Sequence, residues 1–178
     1  MLDFPILNTN RLQLRVLEEK DLPDLVRYAN NRKVADRVLN IPFPYRQVDA
    51  FLRLSKVRQG FANESGFSFA IIHQAAQELV GEIGLHPLPN GTQGQIAYWI
   101  AEPYWGQGLA TEAVAAILKF GFQERQLQLI FGECKLDNAG SIRVLEKNHL
   151  QAVGTGRLVE QYYIKEEHWI LDSIDEMS

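Results

Sequence analysis

One cysteine, Cys134, stands in a chain of 178 residues, so no internal disulfide can form and the fold must rest on a packed core. That length supplies such a core for one domain, and a reducing, cytoplasmic setting suits the lone thiol. Basic charge is also scarce. Eighteen Lys and Arg against 22 Asp and Glu leave a net charge of −4, which argues against a general nucleic-acid binder because a phosphate backbone demands a basic face. A local basic pocket for a small phosphorylated ligand remains open. No apolar run approaches the ~20 residues of a membrane span. The start Met1-Leu2-Asp3-Phe4-Pro5 lacks a basic leader, so neither membrane nor export is expected. His73, His86, His149 and His168 are scattered without ligand spacing, and no metal is expected. Repeats, low-complexity tracts and linkers are missing too, which points to a single domain over residues 1–178.

What is present reads as mixed α/β. Leu12, Leu14 and Val16 alternate with Gln13 and Arg15, a half-buried strand. Asp21 begins a helix with Leu22, Leu25, Val26 and Ala29 on one face, and a second helix runs from about Gln47 to Gln59. Gly60 to Gly66 reads as a loop. Strands follow at Phe67 to His73, Glu78 to His86 and Gln95 to Ala101, with Pro87-Leu88-Pro89-Asn90-Gly91 as a turn. Ala110, Ala113, Val114, Ile117, Leu118 and Gly121 recur at three and four, an amphipathic helix. Gln128 to Cys134 is an apolar strand that absorbs the cysteine as a core residue. Asn138 caps a last helix carrying Ile142 and Leu145, and Gln151 to Leu158 and Gln161 to Leu171 close the chain as strands. The expected architecture is a central, mixed, mostly antiparallel twisted sheet of about seven strands flanked by about four helices.

The segment from Tyr98 to Ala113 carries the most chemistry. A buried strand leads through Trp105-Gly106-Gln107-Gly108 into a helix with no acidic side chain before Glu112. Such a helix start leaves amide groups free and positively polarised, a ready site for phosphate oxygens, and glycine lets a ligand approach the backbone. The bland alternative is a turn that needs glycine for its dihedral angles alone. A P-loop drops to a minor alternative because Leu109-Ala110 stand where Lys and Ser/Thr are required. A dinucleotide fingerprint fits poorly, since Thr111 replaces its third small residue and the next strand ends beyond the usual acidic position.

Four segments in order resemble the GNAT superfamily of acyl-CoA-dependent N-acetyltransferases, and within it the branch of the ribosomal-protein N-terminal alanine acetyltransferases. They are Thr9-Asn10-Arg11-Leu12, Gly81-Glu82-Ile83-Gly84-Leu85, Tyr98 to Ala113, and Asn138 to Lys147. The resemblance implies acetyl-CoA as co-substrate, its pyrophosphate held by the amides of Gly106, Gln107, Gly108, Leu109, Ala110 and Thr111. It places Ile100 beside the pantetheine arm, on a strand that splays from its neighbour, and turns Asn138 and Ser141 toward the cofactor. An N-cap at Asn138, with Ser141 in the first turn, is compatible with that contact. Two departures stand out. Many relatives carry a tyrosine that protonates the leaving thiolate where this chain has Leu145. The usual glycine after the last helix is replaced by His149, after Asn148; one of these two should take positive φ, which Asn and His tolerate.

The implied reaction moves an acetyl group to a primary amine. An α-amine of pKa about 8 is roughly a tenth neutral at pH 7 and needs less help from a base than a lysine amine. A thiol near 8.5 leaves without strong acid assistance, so positioning and a backbone N–H near Ile100 polarising the carbonyl supply most of the rate. Glu82 is the candidate base, through a water, unless it faces solvent, and Ser141 the candidate acid. His86, ending a strand near the expected cleft, reads as a surface residue with substrate contact as the alternative, and Glu166 and Glu167 as an acidic turn or an attraction for a cationic amine. Acceptors fall into two classes, a protein or peptide N-terminus or a small amine, and the loop would equally suit a non-catalytic acyl-CoA-binding module. Tyr163 and Trp169 suit a core or an interface, which leaves a homodimer open.

Overall fold

A computed structural model describes residues 3–155 and 159–169. The strands are β1 (Leu7–Asn8), β2 (Leu12–Val16), β3 (Phe67–His73), β4 (Glu78–Pro87), β5 (Gln93–Ile100), β6 (Leu129–Lys135), β7 (Gln151–Thr155) and β8 (Val159–Lys165). The helices are α1 (Leu22–Ala29), α2 (Arg32–Ala35), α3 (Gln47–Ala62), α4 (Leu109–Lys119) and α5 (Ala139–Lys147). All strands form one sheet in the order β1-β2-β3-β4-β5-β6-β8-β7. Every neighbouring pair is antiparallel except β5–β6, which the α4 crossover makes parallel.

The sheet is covered on both faces. Leu25, Ala29, Leu54 and Val57 of α1 and α3 pack on Ala70, Ile72, Leu79 and Trp99. Ala113, Val114 and Ile117 of α4 and Leu145 of α5 pack on Phe69, Ile71, Ile83, Leu85 and Ile96 from the other side. Alternation along the strands feeds both cores, which explains why β3 and β4 are nearly continuous apolar runs.

The sequence reading needs four corrections. The sheet has eight strands, because the two-residue β1 is too short to show a period. The four-residue α2, nucleated by the Asn31 side chain accepting from the Lys33 amide, is likewise too short for a helical repeat. α3 continues through Gly60 to Ala62 where a loop was expected. The final strand ends at Lys165 and residues 166–169 are helical, while Leu158, Ile170 and Leu171 lie outside the described residues. The turn after α5 follows expectation: His149 has φ 61° and Asn148 φ −99°. Buried Asn148 donates to the Val144 carbonyl at 2.8 Å and the Thr111 carbonyl at 3.3 Å, tying α5 to α4.

One defect in the sheet positions everything that follows. β5 pairs with β6 only from Gln93–Leu129 to Ile96–Gly132. Past that point β5 stays with β4 to Ile100, and β6 stays with β8 to Lys135, so the two diverge. The Ala101 amide bonds the Val80 carbonyl at 2.8 Å. By strand alternation the polar backbone of Tyr98 and the Ile100 amide then face away from β4, into the gap. Gly81 holds β5 in this register, since a Cβ there would stand 2.2 Å from the Trp99 carbonyl oxygen. Gly81→Ala is therefore expected to cost about 2 kcal/mol by forcing β4 and β5 apart, read as a lowered urea midpoint at unchanged m-value.

Candidate active site

The loop before α4 is shaped by two glycines. Gly106 and Gly108 take φ of 75° and 77°, the left-handed region that glycine enters without penalty. A Cβ at Gly106 would meet nothing within 4 Å, so backbone conformation rather than close packing requires glycine there. No amide from Gly106 to Thr111 donates to a described residue, while the Glu112 amide already bonds the Gly108 carbonyl. The helix start thus keeps a row of free donors at its positive end.

Arg11 and Glu112 explain how that end tolerates an acid in its first turn. The Glu112 carboxylate accepts the Thr9 hydroxyl at 2.6 Å, the Arg11 amide at 2.8 Å and the Arg11 guanidinium at 2.7 Å. Arg11 also donates to the Gln107 carbonyl at 2.8 Å. In a trans peptide the carbonyl and the next amide point oppositely, so this bond turns the Gly108 N–H away from Arg11. Thr9 and Arg11 of β2's approach thereby neutralise Glu112 and aim the loop.

A cleft of about 1020 Å³ starts at this loop and runs through the β5–β6 gap to the face covered by α3. Gly106, Gly108, Leu109, Ala110, Thr111, Asn138 and Ser141 line one end, and Tyr98, Ile100 and Cys134 the middle. Glu82, Arg53 and His86 line the other. Of the coenzyme-contact and catalytic residues expected from sequence, Gln107 alone is not part of this wall; its side chain turns back to the Pro103 carbonyl at 3.1 Å. Asn138 accepts the Ser141 amide at 3.2 Å as an N-cap while also facing the cleft. Arg37, Lys135, Arg143 and Lys147 border the opening, a local basic rim on an acidic protein. Glu166 and Glu167 are not brought to it.

Two polar clusters face the cleft from opposite sides of the sheet. Tyr98 reaches α5, its hydroxyl 2.8 Å from Ser141 Oγ, and burial raises its pKa so that it stays protonated. Sequence reasoning gave Tyr98 no role, because the pairing with Ser141 spans 43 positions. On the α3 side Glu82 is buried rather than solvent-facing, accepting Arg53 Nε at 2.9 Å and Trp99 Nε1 at 3.2 Å. Arg53 lies on a helix whose pattern marks it only as polar. Leu145 is buried against Gly132 and supplies no hydroxyl. Burial, then Glu160 and Glu146, pushes the Cys134 thiol up to about 11, so it remains an un-ionised core residue.

This combination of free helix-start amides, a split sheet and a polar cleft matches a known domain. Residues 11–151 match the family profile described as Acetyltransferase (GNAT) domain. The chain belongs to the GNAT acetyltransferase family. It is 28% identical over 160 residues to the uncharacterized N-acetyltransferase YoaA of Bacillus subtilis, covering 86% of this chain and 87% of that one. It is 26% identical over 87 residues to the ribosomal-protein-serine acetyltransferase of Escherichia coli, covering 48% and 49% of the two chains. Its fold superposes with a TM-score of 0.80, at 19% identity and over 90% and 98% of the two chains, on RimL, a ribosomal L7/L12 alpha-N-protein acetyltransferase solved with coenzyme A. As a GNAT acetyltransferase it is an acyltransferase, and its relatives bind coenzyme A.

The Glu112 cluster makes a pH prediction. Burial alone would raise its carboxyl pKa, but the Thr9 hydroxyl and the Arg11 amide and guanidinium outweigh burial and hold it below the ordinary 4.5. Their stabilising contribution is complete above 4.5 and lost as pH falls through the lower folded value. Urea midpoints of wild type and Glu112→Gln should therefore differ at neutral pH and converge in acid.

Proposed function

We propose that this GNAT acetyltransferase uses acetyl-CoA to acetylate the α-amine at a peptide or protein N-terminus. The observation that carries the reading is the continuity of one cleft from the free amides of residues 106–111, past the unpaired backbone of Tyr98 and the Ile100 amide, to Glu82. Each stretch matches one part of the co-substrate. The helix-start amides of Gly106, Gln107, Gly108, Leu109, Ala110 and Thr111 receive the pyrophosphate. The open edge of β5 pairs with the amides of the pantetheine arm as an added strand would, beside Ile100. Asn138 and Ser141 line the α5 side of the same channel.

Acetyl-CoA supplies an activated acyl group; the protein supplies geometry and protons. The Ile100 amide faces the gap and polarises the carbonyl under attack. Ser141 donates its hydroxyl proton to the departing sulfur, and Tyr98 holds that hydroxyl in place. Glu82, across the sheet, anchors the cationic amine that enters from the α3 side. The acceptor rim favours a peptide: exposed Leu39 and Leu52 flank the cleft beside Asp49 and Glu82, a surface for side chains that follow a charged amine. The ribosomal-protein acetyltransferases among its relatives support the same choice.

Release of free thiol from acetyl-CoA, measured against peptides of varied N-terminal residue and a set of small amines, tests the assignment. Transfer to peptide α-amines is expected; transfer to small amines alone overturns the acceptor. For the coenzyme, Gly108→Ala forces a side chain into positive φ at about 1–2 kcal/mol, so the Kd for CoA in calorimetry should rise on the order of tenfold. Tyr98→Phe and Ser141→Ala should each lower kcat about tenfold or more at unchanged KM for acetyl-CoA, and the double variant should lose little more than Ser141→Ala alone.

A further inference from the structure

Building on acetyl transfer to an amine, we infer that His86 is the catalytic base that takes the proton from the acceptor ammonium. Period-two alternation places Glu82, Gly84 and His86 on one face of β4. The imidazole leans back over Gly84: a Cβ there would stand 2.7 Å from Nε2, and a Cβ on Gly66 would stand 2.5 Å from Nδ1. Two glycines from separate elements thus make a slot that any side chain would fill. Gly84 pairs with Ala97, the first β5 residue beyond the last β6 partner, so the ring sits where the gap opens.

His86 and Glu82 share the cleft wall but not the same chemistry. Both Glu82 oxygens already accept donors, from Arg53 and Trp99. Neither nitrogen of His86 has a partner among the described residues. Arg53 and Lys56 of α3 act on it, and the cleft it faces also holds Asp49 of α3, Tyr45 before α3, Glu82 of β4 and Glu133 of β6, which meets Gln95, the cross-strand partner of His86. Burial first, then Arg53 and Lys56, lowers its pKa from the ordinary 6.5. At neutral pH the ring is therefore uncharged, with a lone pair to offer. A Lys in that position would be protonated and useless as a base.

The proton count closes. Of the three hydrogens on the acceptor ammonium, one passes to His86 and on to water. The freed lone pair forms the bond to the acyl carbon, and the electrons of the breaking C–S bond leave on sulfur. A second hydrogen ends on that sulfur through the Ser141 hydroxyl, and the third stays on the amide nitrogen. Glu82 compensates the charge throughout.

The test is kcat against pH for the full chain at saturating acetyl-CoA and an acceptor peptide. Wild type should lose activity as pH falls through a value below 6.5. His86→Asn should lower the neutral kcat about 100-fold and abolish that acid limb. Lys56→Met removes a like charge and should move the limb upward, which a structural role for His86 would not produce. Imidazole added to His86→Ala should restore part of the rate, a readout that survives any modest loss of stability. An His86→Asn profile of wild-type shape, or a limb that Lys56→Met leaves in place, overturns the inference alone. A wild type that transfers no acetyl group to any amine overturns the proposed function itself.

Discussion

Backbone hydrogen bonding that the sheet leaves unfinished is the constraint from which the rest of this molecule follows. Buried amides and carbonyls must be paired, and β5 beyond Ile96 has lost its β6 partner. A protein could close such a gap with side chains, as the Trp105 indole does for the Ile100 carbonyl at 2.6 Å. Here the remaining groups of Tyr98 and Ile100 stay open to a channel wide enough for an extended ligand. The gap persists because each strand is held from outside: β5 by the full β4 register and the missing Cβ of Gly81, β6 by seven residue pairs with β8. Outer pairing makes the inner opening stable.

The electrostatics follow the same economy. An overall charge of −4 gives no hint of an anion site, yet the helix start concentrates positive potential where the chain needs it. Glu112 should weaken that potential. Its three donors from Thr9 and Arg11 cancel it, and the same Arg11 turns the Gln107 carbonyl outward. A segment near the N-terminus therefore acts on a loop about a hundred residues later.

Much of this was legible from residue order, and the illegible part has a common cause. Periodicity exposed the long elements, and local backbone rules anticipated free amides at the glycine loop before α4. The dihedral angle at His149 could be anticipated because the requirement is local to one turn. Partnerships between distant residues left no such trace. Arg53 with Glu82, Tyr98 with Ser141, and the seating of His86 between Gly66 and Gly84 each join separate elements. Nothing in the local pattern distinguishes a half-buried histidine at a strand end from an exposed one, and Glu82 in an alternating strand could face either way. β1 and α2 escaped for a simpler reason: neither is long enough to complete a repeat.

The distribution of polar groups across the sheet bears on why the chain dispenses with a tyrosine at Leu145. A hydroxyl still faces this part of the cleft, but it comes from the strand, through Tyr98, and meets α5 at Ser141. Leu145 is then free to fill the space over Gly132, adding apolar packing where β6 leaves its partner. In the proposed mechanism, the groups that remove protons and the groups that deliver them lie on opposite faces, with β5 between them and the gap as the passage. In such an arrangement the two proton transfers do not short-circuit each other. On that reading the amine gives up its first proton on the α3 side, and the sulfur recovers one on the α5 side. Only a substrate threaded through the gap connects the two, so productive chemistry depends on both ligands occupying the cleft at once.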